Sequence, residues 1–174
     1  MAEIPETNIT GTGDIKREEF KMFSDVSDEK DNSEWELMGS KMEDLAIAMN
    51  PNVETITDVT GVTTTALDKY EENANISTYR ARRDSKLSRI VYDIVKQKKT
   101  LSEVERDFLF VNLFSGTDGK WDAWKQKAVI AVQSYGGDTK GLNIPFQLHF
   151  IGERTYGTAA ISGGNVTFSE NVVA

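Results

Sequence analysis

The residues that could do chemistry in this chain are few, and their spacing argues against catalysis. His149 is the only histidine. Imidazole is the side chain that exchanges a proton near neutral pH without help, so His149 is the first general base to weigh. It stands in an alternating run, with Ile144, Phe146, Leu148 and Phe150 around it, and reads as a strand histidine. Chain order does not exclude a Ser/His/Asp triad, but the strained GxSxG elbow is missing. The chain has no cysteine, which excludes disulfides and thiolate metal sites, and one histidine does not build an ordinary zinc centre. Carboxylates cluster at Asp25, Asp28, Glu29, Asp31, Glu34 and Glu36. A calcium loop needs spaced oxygen ligands and a glycine at its sixth position. DVSDEKDNSEWE has neither, so it reads as a solvated acidic loop. GTGD (Gly11 to Asp14) lacks the lysine-serine end of a phosphate loop. The sequons at Asn8, Asn75 and Asn165 read as chance. Trp121 and Trp124, three apart, fall on opposite faces of a strand. No catalytic residue, cofactor or metal ligand is assigned from these positions.

The whole chain sets wider bounds. Its 174 residues suit one domain, or one domain with arms, and can bury a core without staples. A net charge of −8 argues against a nucleic-acid groove, which needs a basic stripe. A negative surface near DNA repels phosphates, which suits a conduit better than a binder. No N-terminal apolar stretch looks like a signal peptide, and no run approaches membrane-spanning length. A soluble protein made in cytoplasm, with no membrane partner, is the expectation.

The elements that would position these residues are mostly strands. Residues 1–32 read as an N-terminal arm with an acidic loop, too polar to offset chain entropy alone. Within it, Phe20 and Met22 alternate and give a weak strand signal that would order against a neighbour. EWELMG reads as a short strand. Leu45 and Ile47 alternate before Pro51 and Asn52 break the run. Val53 to Gly61 alternates cleanly, and threonines continue through Thr65. Residues 62–83 read as a long loop or hairpin excursion. One helix is predicted over about 84–99, because Leu87, Ile90, Val91, Ile94 and Val95 form one stripe. Asp84 or Ser85 can cap its start, and lysines sit in its last turn. FLFVNLF (Phe108 to Phe114) is apolar on both faces and reads as a central or covered strand. Strands follow at Trp124 to Tyr135 and Ile144 to Phe150, then a terminal hairpin around Gly163-Gly164. The expected fold is mainly β: an antiparallel β-sandwich or barrel over 33–170 with one flanking helix, and a short tail at 171–174.

Three stretches resemble the major tail tube proteins of phages and prophages of Gram-positive bacteria. They are MEDLAIAMNPNVETITDVTGVTTTALDKYE (Met42 to Glu71), RDSKLSRIVYDIVKQKKT (Arg83 to Thr100), and AVQSYGGDTKG with IPFQLHFIGER before TYG. Their order and spacing carry the resemblance across roughly 42–157. It implies a structural virion protein whose copies form rings, typically hexameric, that stack into a tube for DNA ejection. DNA would pass through without specific binding. Tape measure, tail terminator and distal tail proteins would be the other partners, and the virion tail, assembled in the bacterial cytoplasm, the location. Glu43, Asp44, Glu54 and Asp58 are candidates for an acidic lumen, with a solvent-facing role equally open. Ile15, Phe20, Met22, Tyr70, Tyr79 and Arg82 are candidates for contacts between subunits. The other readings are a tube subunit of a contractile tail or tail-derived injection particle, a soluble β-sandwich ligand-binding module, and last a glycan-active enzyme.

Overall fold

The computed structural model describes residues 4, 6–28 and 32–171. The chain is a mainly β, antiparallel sandwich with one flanking helix, and its barrel does not close. After a 3-10 turn at Arg17–Glu19, β1 (Phe20–Asp25) and β2 (Trp35–Leu37) pair. β3 (Ile47–Ala48) is followed by the hairpin strands β4 (Pro51–Thr57) and β5 (Thr63–Tyr70), then β6 (Asn73–Ile76). The helix α1 (Lys86–Gln97) leads through a 3-10 turn at Leu101–Val104 into β7 (Glu105–Thr117) and β8 (Lys120–Val132). A small hairpin, β9 (Gly136–Asp138) and β10 (Gly141–Asn143), precedes β11 (Phe146–Ser162) and β12 (Asn165–Glu170). The main sheet runs β2-β1-β7-β8-β11-β6-β3, with β12 also on β11.

The three long strands carry the core: β7 is apolar on both faces at Phe108 to Val111, and β8 and β11 add buried side chains to each face. Phe108 and Phe110 point to the helix side, with Met22, Ile76, Ile130, Phe146 and Leu148. Leu109 and Val111 join Phe23, Ala123, Ala159 and Val166 on the other face. Burying each of the larger of these side chains contributes roughly 1.5–3 kcal/mol. Trp124 stacks on Phe110 in the first cluster, 5.4 Å between ring centroids, and Trp121 packs against the second, as their spacing predicts. Register shifts between Asn112 and Gly116 and between Ile151 and Thr155 bend these strands.

α1 forms where its stripe predicts, with Leu87, Val91 and Ile94 buried. Ser85 is the cap: its hydroxyl accepts from the Ser88 amide at 3.1 Å. The Glu36 carboxylate reaches over from β2 to accept from the Lys86 and Leu87 amides at 2.9 and 3.2 Å. Lys98 ends the helix in the left-handed region, φ 50°. At the other end of the chain, Gly163 and Gly164 take φ 57° and 84°, the two positive values a tight hairpin turn demands. Gly157 allows close approach: a Cβ there would stand 2.2 Å from the Ser169 carbonyl oxygen of β12.

Four expectations are corrected. The arm does not extend to residue 32, since β1 lies between β2 and β7 and buries Met22, Phe23 and Ser24. Non-local pairing with β7 orders this weakly apolar segment. The run after Ile47 does break, but at Met49 and Asn50; Pro51 and Asn52 instead open β4, at an end where no ladder donor is needed. The 62–83 excursion divides: its first part is β5, while β6 is a core strand with Ala74 and Ile76 buried. The barrel alternative fails because β2 and β3, three and two residues long, pair on one side only among the described residues.

Candidate interaction surface

β4 and β5 form a ribbon that stands apart from the rest of the molecule. Among the described residues they pair only with each other, and all residues from Pro51 to Tyr70 are exposed. The local sequence makes this hairpin. β-Branched runs face each other in register, with Val53 opposite Leu67 and Ile56 opposite Thr64. Thr55 and Thr65 hydroxyls lie 3.1 Å apart, and those of Thr57 and Thr63 2.9 Å apart. Each such cross-strand pair contributes roughly 0.2–1 kcal/mol. The Asp58 carboxylate organises the turn by accepting from the Thr60 amide and hydroxyl and the Val62 amide, at 2.8, 2.5 and 3.1 Å. The Thr60 hydroxyl first, then the two amides, hold Asp58 below the usual carboxylate range.

The root of the ribbon is tied down. The Asn50 side-chain amide donates to the Glu71 carbonyl at 3.0 Å, and the Phe150 amide donates to the Glu72 carbonyl at 3.1 Å. The Glu72 carboxylate pairs with Arg154, whose guanidinium lies 4.7 Å over the Trp124 ring. A root held by these bonds thus carries exposed apolar side chains into solvent. Val53, Ile56, Val59, Val62, Leu67 and Tyr70 are its exposed large side chains, Val59 completely so. A lone two-stranded hairpin is marginal in water, and both its edges offer unpaired backbone groups.

The structure separates the candidate residues. Glu54 lies on the ribbon and Asp58 is engaged in its turn. Glu43 and Asp44 are exposed in the segment before β3, with Arg80 3.9 Å from Glu43. The four carboxylates therefore share no element, and no single acidic strand face joins them. Of the contact candidates, Tyr70 and Ile15 are exposed. Met22 and Tyr79 are buried in the chain's own core, a correction to their expected role. Tyr79 donates or accepts at 2.8 Å with the Ser88 hydroxyl, and burial pushes its phenol up. Phe20 is half-buried, stacked on Phe110 at 6.2 Å. Arg82 is spent within the chain, 3.1 Å from the Ser40 hydroxyl and 3.8 Å from Asp84.

The chain matches no protein-family model and no curated protein.

The acidic run does structural work: Asp25 accepts from the Ser27 and Glu34 amides, Glu34 pairs with Lys86 at 2.5 Å, and Glu36 caps α1. Glu29 and Asp31 lie outside the described residues. Near the N-terminus, residues 8–10 bond along the end of β7, with the Thr10 amide donating to the Phe114 carbonyl at 3.0 Å. His149 is exposed on β11. Among the described residues no three His, Asp or Glu side chains gather as a metal site. Sequence reasoning missed the apolar tip, Val59 and Val62. The available signal was the pair of β-branched runs, VETIT and TTTAL, flanking a short Asp-to-Gly turn.

Proposed function

We propose that this protein is a structural subunit that polymerises with its own copies, the major tail tube protein of a phage tail. The observation that carries this reading is the β4–β5 ribbon. A chain that fills two cores elsewhere leaves twenty consecutive residues, six of them large and apolar, exposed. Apolar surface of that extent on a marginal hairpin favours a neighbour that completes it. The resemblance of residues 42–157 to tail tube proteins supplies the form of the assembly: stacked rings, with DNA passing through a negatively charged conduit. The tape measure, terminator and distal tail proteins would meet this tube at its ends. The net charge of −8 supports a wall that does not hold DNA. Negative-stain electron microscopy and light scattering at rising protein concentration test the reading. Rings or tubes are expected; monomers at every concentration and salt would overturn it.

A further inference from the structure

Charge is segregated along this chain. Residues 80–99 hold eight of the 20 Lys and Arg but only two of the 28 Asp and Glu. The remainder is correspondingly acidic, and the ribbon bears Glu54, Asp58 and Asp68 against one cation, Lys69. Beside α1 lies an open hollow of about 540 Å³, lined by Ala81, Arg83, Arg89, Tyr92, Leu142 and Ile144 among others. Tyr92 and Leu142 are exposed, and the Tyr92 ring sits 6.1 Å from that of Tyr135, also exposed. Arg83 and Arg89 are exposed and make no ion pair among the described residues. Arginine and tyrosine around an apolar floor are the residue types that anchor protein interfaces.

We propose that this hollow receives the β4–β5 ribbon of a second copy. Glu54 and Ile56 share one face of the ribbon, so an acid and an apolar side chain arrive together. Glu54 and Asp68 are exposed and form no ion pair among the described residues, which leaves them for Arg83 and Arg89. Asp58 stays with its turn. The ribbon's strands, seven and eight residues long, reach roughly 20–25 Å from the root, enough to cross to a neighbour. Ribbon and hollow are different surfaces of one chain, so the contact can repeat head-to-tail from copy to copy. Such contacts close into rings or extend into filaments. This docking rests on the polymer reading above and names the pair of surfaces that would build it.

The test uses three full-length variants: R83E/R89E, E54K/D68K, and the chain with all four changes. All four positions are exposed, and circular dichroism with thermal unfolding confirms that the fold is kept. Each two-site reversal should raise the concentration needed for assembly about tenfold or more, since like charges then face each other. The four-site chain, with charges exchanged, should recover assembly, as should a mixture of the two reversals. Assembly that both reversals leave untouched overturns this docking alone. Failure of the exchanged chain to recover also overturns it. So does duplex DNA retained by the unaltered chain and not by R83E/R89E, with assembly of that variant unchanged. An unaltered chain that stays monomeric throughout overturns the polymer reading and the docking together.

Discussion

β7 and β5 are both antiparallel strands, yet they have opposite fates. Phe108, Leu109, Phe110 and Val111 of β7 are at most 1% exposed, while every residue of β5 is exposed. β7 has β1 on one side, β8 on the other, and packed side chains on both faces. β5 pairs with β4 alone among the described residues. The body therefore draws stability from burial, and the ribbon only from cross-strand pairs and a capped turn. One region is complete within the chain; the other has the residue types of a strand without the layer that would cover them.

The comparison breaks most easily at the body. Phe110→Ala removes a ring stacked on Trp124 and Phe20, and should cost about 3–5 kcal/mol. A fall in the urea midpoint checks this, and an unchanged midpoint would mean that the two-faced core is misread. Gly157→Ala should cost about 1–3 kcal/mol, because its methyl meets the β12 backbone. Hydrogen exchange should then speed at Val166 to Phe168 more than along β7.

Arg154→Ala probes the joint between the regions. It strips a counter-charge from Glu72, whose side chain is 12% exposed, and uncovers the Trp124 ring. Arg154 keeps about a quarter of its surface in solvent, so the loss should fall between surface and buried pairs, about 1–3 kcal/mol. Exchange should rise first at residues 70–72. Replacing residues 52–69 by a short glycine turn should change the stability of the body by less than about 1 kcal/mol and abolish assembly. A large loss of stability would show that the ribbon belongs to the core after all.

Acid gives the smallest and most local effect. The Asp58 carboxylate is held below its ordinary range, so its support of the turn is present above the unfolded value. That support is lost as pH falls through the lower folded value. Below about pH 4 the Thr60 and Val62 amides should lose protection while β7 stays protected. Equal protection at both pH values would remove Asp58 as the organiser of the turn.

Much of this fold is legible in particular residues. The stripe from Leu87 to Val95 specifies α1, the two-faced run at Phe108 specifies a central strand, and Gly163-Gly164 specifies the last turn. Trp121 and Trp124 fall on opposite faces as a period of two requires. β1 and β6 are less legible, since FKMFSD and NANI are short and lie among polar and charged neighbours, and their burial comes from distant strands. The interaction surface is half legible. VETIT and TTTAL announce two strands, but nothing in them says that neither will be covered.

The local states are written in the residues: which segments extend, where the helix begins, where glycine turns the chain, and that the charge gathers by sign. These follow from side-chain shape, spacing and capping, all of which act over a few residues. That Met22 and Tyr79 lie inside while Val59 and Ile56 lie outside is settled by long-range packing. Burial depends on which distant strands come into register, and β1 finds β7 from almost ninety positions away. The ribbon finds no such partner strand among the described residues.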